Sequence, residues 1–311
     1  MASKKKNKKR TALRILVICG ALILLAIIAS VVVSVLQNSS ITVARYTVAS
    51  DRVNSGFRIV LLSDLHRKKF DDTNQTIVDL TAGQEPDLIL LDGDMIDGDC
   101  TEVERDELIS LVERLSAIAP VYYSMGNHDC RLYSESVEFA GHECVGIEGR
   151  SEFLERLEAA GAVFLESEYR DIEVNGDRVR LGGFYPFAFR YEYDTDEGWE
   201  KRREFLEEFC DTGDFRLMLS HRPDSFVYEG EVHELDIDLV LSGHTHNGVI
   251  ATPFTHRAIW TSEGFFPPYA YGEHDLGGMK LIVTSGFYGW RFIPRVFNPP
   301  EIAVVDIVPE K

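Results

Sequence analysis

Five short apolar runs in this chain each end in residues able to hold a metal ion. Phe57–Ser63 runs into Asp64-Leu65-His66, Asp87–Leu91 into Asp92-Gly93-Asp94, and Val121–Met125 into Gly126-Asn127-His128-Asp129. Arg216–Ser220 meets His221, and Asp238–Ser242 meets Gly243-His244-Thr245-His246. Each run has the length and the β-branched or leucine-rich content of a buried strand. Helical patterns lie at Asn74–Ala82, Thr101–Ile118, Ser151–Ala160 and Glu200–Phe209, and a capping box from Thr101 to Glu104 opens the second. Further strands are expected at Arg178–Gly182, Met279–Ser285 and Ile302–Val308, with a first edge strand at Ile41–Val48. Alternating strands and helices predict an α/β fold whose strand ends position the chemistry.

The mixture of ligand types narrows that chemistry. Histidine, aspartate and asparagine with no cysteine suit Mn, Fe or Zn rather than a structural thiolate site. Two dications about 3.5–4 Å apart need a shared carboxylate, and Asp94 is central among the five segments. Such a pair clamps the attacking and leaving oxygens of a phosphoryl transfer and lowers the pKa of water, so the implied reaction is phosphoester hydrolysis. Glycines ahead of Asp94, Asn127 and His244 permit tight turns and close backbone approach.

The five blocks, in this order, resemble the signature of the calcineurin-like metallophosphoesterases: D-x-H, G-D-x-x-D, G-N-H-D/E, a lone His and G-H-x-H. Here they read Asp64-Leu65-His66, Gly93-Asp94-Met95-Ile96-Asp97, Gly126-Asn127-His128-Asp129, His221 and Gly243-His244-Thr245-His246, and the likeness covers residues 57–308. The resemblance implies a four-layer α/β/β/α sandwich with two metal ions. One ion would take Asp64, His66, Asp94 and His246, and the other Asp94, Asn127, His221 and His244. It also implies that His128 is not a ligand but a donor to the leaving or phosphoryl oxygens, oriented by Asp97. A carboxylate beside His128 would keep its imidazolium to higher pH, which fits a proton donor. Asp92 and Asp129 are read as supporting groups, Arg67 as either a phosphate contact or a surface ion pair, and His142, His233, His256 and His274 as ordinary histidines.

The N-terminus constrains location. Residues 1–14 carry Lys4, Lys5, Lys6, Lys8, Lys9, Arg10 and Arg14 and no acid, and Ile15–Leu36 is uncharged for 22 residues. That length spans a bilayer core. A cleaved secretory signal shares this pattern, but the run exceeds an ordinary signal core and lacks a small-residue cleavage site, so an uncleaved anchor is expected. The positive-inside rule then puts a basic tail (1–14) in the cytoplasm, a transmembrane segment at 15–36, a connector at 37–56, and the catalytic domain (57–311) outside.

Seven of the 32 basic residues lie in that tail, leaving 25 against 51 acidic ones, a formal −26. Such a domain repels polyanions, so nucleic acid is a poor partner. Of the cysteines beyond the anchor, Cys130 and Cys144 are near enough for a loop disulfide, although a reduced, buried pair is the expectation. Aromatic residues crowd Phe184–Tyr193, Trp260–Tyr271 and Phe287–Phe292. In a tethered enzyme such a rim would admit lipid chains, with Arg291 or Arg295 meeting a phosphate. Within the family, the chain looks like the membrane-anchored bacterial subgroup, similar to UDP-2,3-diacylglucosamine diphosphatase-like and exported envelope phosphoesterases. The expected activity is hydrolysis of a phosphoester or pyrophosphate in an envelope lipid or nucleotide-linked glycolipid. A broad phosphomonoesterase or phosphodiesterase is the alternative, and a non-catalytic binding module is the alternative of another class.

Overall fold

The computed structural model describes the backbone of all residues except Met1, 134–135, 141–142, 166, 185–195, 228–234, 290–293 and Lys311, and within it the side chains except at 2–9, 12, 136–140, 143–148 and 196–199. The chain opens with α1 (Ala2–Asn38), followed by β1 (Thr42–Ser50), β2 (Phe57–Leu62), α2 (Gln75–Ala82), β3 (Leu88–Asp92), α3 (Glu102–Ser116) and β4 (Val121–Ser124). A hairpin of β5 (Ser136–Ala140) and β6 (Glu143–Glu148) leads to α4 (Glu152–Ala159), β7 (Ala162–Phe164), β8 (Glu168–Val174), β9 (Asp177–Gly183) and α5 (Asp196–Cys210). Then come β10 (Phe215–Leu219), α6 (Asp224–Val227), β11 (Leu239–Ser242), the short β12 (Trp260–Thr261) and β13 (Gly264–Phe265), β14 (Gly272–Asp275), β15 (Lys280–Val283) and β16 (Glu301–Pro309).

Two six-stranded sheets form, in the orders β1-β16-β2-β3-β4-β7 and β14-β15-β11-β10-β9-β8. Strands β2, β3, β4 and β7 run parallel, as do β15, β11, β10 and β9. Alternation along β2 divides its side chains: Val60 and Leu62 pack under α2, α3 and α4, while Ile59 and Leu61 face the second sheet. Leu217, Leu219, Leu239 and Leu241 fill the space between the sheets, and Met218, Val240 and Leu281 turn outward onto Phe184, Leu206, Phe209 and Phe226. The layers are therefore helix, sheet, sheet, helix. Strands covered on both faces read as continuous apolar runs, which is why the sequence betrays them.

The capping box expected at Thr101 is formed, with Glu104 N donating to Thr101 Oγ1 and Thr101 N donating to Glu104. Helix α1 is longer than the apolar run implied, and its candidate membrane span is Leu13–Gln37. Its large apolar side chains from Leu13 to Leu36, Val33 apart, are exposed. Cys130 is disulfide-bonded, contrary to the expectation of a reduced thiol. The β5–β6 hairpin folds back so that β6 lies against the Cys130–Leu132 turn. Cys19, Cys100 and Cys210 are free, and the side chain of Cys144 lies outside the described residues.

Candidate metal centre

Parallel strands place their carboxyl ends along one edge, and here two sheets do so together: β2, β3 and β4 deliver Asp64, Asp94 and Asn127, and β10 and β11 deliver His221 and His244. Backbone geometry past the strands is unusual. Asp64, His66, Asp94, His244 and His246 all have left-handed φ, between 48° and 66°. Asp, Asn and His tolerate that region better than most side chains, yet five such residues in one place mark a site where the fold holds strained backbone in position. Gly93, at φ 72°, is required on two counts, since a Cβ there would also lie 2.5 Å from the Gly126 nitrogen.

The donor atoms converge. Those of Asp64, His66 and His246 lie within 4.8 Å of one another, as do those of Asp94, His221 and His244. Asp94 Oδ2 is 3.1 Å from His221 Nε2 and 3.7 Å from His66 Nε2, so this carboxylate faces both groups. Asn127 lies between Gly126, where a Cβ would lie 2.2 Å from Asp94 Oδ1, and His128, whose N–H donates to Asp94 Oδ1 at 2.7 Å. His66 Nε2 and Asn127 Oδ1 are buried without a hydrogen-bond partner. Buried polar atoms are rarely left so, and ligand atoms of this kind beside the carboxylates of Asp64 and Asp94 fit divalent cations.

Supporting bonds fix which atoms face inward. His221 Nδ1 bonds the Asp92 carbonyl at 2.7 Å, leaving Nε2 to the site, and His66 Nδ1 bonds Asp97 at 2.8 Å. Asp64 accepts from Ser63 Oγ at 2.8 Å and from His244 N–H at 3.1 Å, and Asn298 Nδ2 holds the His246 carbonyl at 2.7 Å. Burial, with His221 nearby, keeps His244 well below the usual histidine range, and burial takes His246 down to about 4, so both are neutral bases. Burial also raises the Asp92 carboxyl well above its usual range, and both its oxygens lack a hydrogen-bond partner. Asp129 ties two ligand loops together, accepting from Gly126 N–H at 2.8 Å, Met95 N–H at 3.1 Å and Tyr123 Oη at 2.8 Å. Burial and the neighbouring Asp94 push it up to about 7.

His128 stands at the rim with a 54% exposed side chain, its Nδ1 3.5 Å from Asp97. That contact lifts its pKa to about 9, against the opposing effect of burial. Burial would raise the Asp97 carboxyl, but His128 and His66 outweigh it and hold it well below the usual carboxylate range. Asp97 thus serves two histidines, where the sequence suggested one. Its second oxygen takes Arg67 Nε at 3.1 Å, and Arg67 also pairs with Asp99, so this arginine is an ion-pair residue rather than a free phosphate contact. Arg295 is buried, its guanidinium donating to the carbonyls of Ser285, Tyr288 and Asn298, which corrects the expectation that it meets a phosphate. Arg291 lies outside the described residues, as do His142, His233 and most of the Phe184–Tyr193 stretch, while His256 and His274 bond backbone carbonyls. Tyr288, in the aromatic stretch Phe287–Phe292 that the sequence marked as a rim, has its ring 4.9 Å from His66, against a histidine of the candidate site.

The profile of the family described as calcineurin-like phosphoesterase matches residues 57–248. The uncharacterized metallophosphoesterase YkuE of Bacillus subtilis is 25% identical over 256 residues, 81% of this chain and 79% of its own length. Phosphodiesterase YaeI of Escherichia coli K12 is 26% identical over 261 residues, 81% of this chain and 82% of its own. A Danio rerio protein called transmembrane protein with metallophosphoesterase domain is 28% identical over 261 residues, 80% of this chain and 52% of its own. The chain therefore spans about half the length of that last relative.

Proposed function

The chain belongs to the calcineurin-like phosphoesterase family, and from that premise we propose that it hydrolyses phosphoester or pyrophosphate bonds of an envelope lipid or nucleotide-linked glycolipid with two divalent cations. The observation that carries this reading is the pair of largely buried ligand groups facing a common Asp94. Asp64, His66, Asp94 and His246 would hold one cation, and Asp94, Asn127, His221 and His244 the other. When bound, such a pair supplies charge to the phosphoryl oxygens and acidifies water; Mn, Fe and Zn all suit the donor set.

The chain's own catalytic groups are His128 and Asp97. His128, protonated at neutral pH, gives its proton to the leaving oxygen as the phosphorus–oxygen bond breaks and water oxygen bonds to phosphorus. Asp97 keeps that imidazolium charged and aimed. We assign residues 57–311 to the catalytic domain, 37–56 to a connector, 15–36 to a membrane anchor and 1–14 to a basic tail on the cytoplasmic side, which puts catalysis outside. That topology argues against a cytoplasmic nucleotide lipid as the natural substrate. A second reading, a broad phosphomonoesterase or phosphodiesterase, is favoured by the relative named phosphodiesterase. A binding module without catalysis would tolerate loss of ligands or of His128, yet each matching position is present.

The test is hydrolysis of bis(p-nitrophenyl) phosphate and p-nitrophenyl phosphate by Mn-loaded protein, beside Asp94→Asn. Turnover that falls about 100-fold or more in the variant is expected, since one shared ligand serves both ions. Wild-type protein that retains two Mn equivalents and splits neither compound would leave the binding module as the better account.

A further inference from the structure

The two sides of the metal centre open onto different surroundings. One gives onto a cleft of about 380 Å³ lined by Val249, Ile250, Ile259 and Trp260. The other opens from His66, His128 and His246 into a chamber of about 890 Å³ whose opposite wall is the end of α1, at Ser34, Val35 and Asn38. The helix is bonded there. Ser34 Oγ and Asn38 Nδ2 both donate to the Arg295 carbonyl, the latter at 2.9 Å, and Lys68 Nζ donates to the Asn38 carbonyl at 3.0 Å. An ammonium at a helix C-terminus complements its dipole, so Lys68, two residues beyond His66, fixes the helix end against the centre.

Depth follows from the same contacts. Ser34 is 1% exposed and lies inside the apolar span Leu13–Gln37, whereas Val31, Val35 and Leu36 remain exposed around it. A span of 25 residues is roughly 37 Å long, somewhat more than a hydrocarbon core of about 30 Å, so Ser34 falls near the boundary between chains and headgroups. The loop that grips it continues into a second element: Ala251 N–H donates to the Val296 carbonyl at 3.0 Å, and His256 Nδ1 bonds the Phe297 carbonyl at 3.2 Å. The turn held this way carries Phe254, 91% exposed. A large apolar side chain left in the open like this is what an interfacial contact uses. Among the described residues Lys68 pairs with no carboxylate, while Arg67 is engaged by acids and Arg295 by carbonyls.

We infer that the substrate is a phospholipid-class amphiphile taken from the leaflet in which α1 ends, its phosphate entering the chamber between α1 and the metal centre past Lys68 while its chains stay in the bilayer. The anchor is then a wall of the substrate site and not only a tether. This deepens the phosphoesterase reading and rests on it. The step itself is hydrolysis: water oxygen bonds to phosphorus, the bond from phosphorus to the alcohol oxygen breaks, and that oxygen leaves protonated.

The full chain is reconstituted with Mn into phosphatidylcholine vesicles containing phosphatidylglycerol, a diester, or phosphatidic acid, a monoester, and bis(p-nitrophenyl) phosphate serves as the soluble comparison. A flexible Gly-Ser insertion between Ser40 and Ile41 keeps the anchor but frees its end from the chamber. The insertion should lower lipid turnover about tenfold or more and leave the soluble ester within about twofold, as expected when only positioning is lost. A phosphatidylcholine analogue with a diazirine in its headgroup should label the wild-type chain at residues 34–38 or 288–289, a readout independent of turnover and of the variant's folding. Equal lipid turnover by the two forms, labelling elsewhere alone, or a wild-type enzyme active on the soluble ester but on neither lipid would overturn the inference and leave the phosphoesterase reading intact. Wild-type protein inactive on all three substrates would sink that reading, and this one with it.

Discussion

Asp97 is the residue whose position changes the reading most. One oxygen contacts both His66 and His128, and the other is held by Arg67. Two consequences separate in the laboratory. Asp97→Asn should weaken metal retention about 10–100-fold, as loss of a carboxylate behind a ligating histidine does, and should also lower turnover. His128→Ala should lower turnover about 10²–10⁴-fold while metal content, read by elemental analysis, stays full. The pH profile gives a further check. His128 titrates near 9 because of Asp97, so its proton is present at neutral pH and lost as pH climbs past that value. In Asp97→Asn the alkaline limb of kcat should therefore move to lower pH; a limb that stays in place would assign the proton to another group.

Among the elements, the β1–β2 connection shows how a turn is fixed from a distance. Asp177, at the start of β9 and 2% exposed, accepts from the N–H groups of Asn54 at 2.7 Å, Ser55 at 3.0 Å and Gly56 at 2.7 Å. Burial would raise this carboxyl, but the three N–H donors hold it below the usual carboxylate range. A depressed carboxylate contributes stability that is complete above its unfolded value and is lost as pH falls through the folded one. Asp177→Asn should cost about 1–3 kcal/mol at pH 7 by urea unfolding, and the difference from wild type should shrink towards pH 3. An equal difference at both pH values would place the effect in packing instead.

For the molecule as a whole, topology decides which substrates the site can meet. The basic residues in the first turns of α1 and the formal −26 after them divide the chain by charge, and the apolar part of that helix ends against the candidate metal centre. A dual reporter fused after Lys311 should be active only on the extracytoplasmic side. Activity confined to the cytoplasm would reverse the orientation and readmit nucleotide-linked lipids as substrates.

Much of this was legible along the chain. The five strand-and-ligand blocks, the capping box at Thr101 and the apolar helix are local patterns, set by side-chain period, hydrogen-bonding type and length, and those survive without knowing the fold. What folding alone decided are the pairings across sequence distance: Asp97 serving His66, Asp177 capping a turn some 120 residues earlier, Cys130 in a disulfide, Arg295 turned inward and Ser34 bonded to its carbonyl. Their partners are neighbours only because two sheets pack face to face and bring their strand ends to one edge, and no local pattern encodes that juxtaposition.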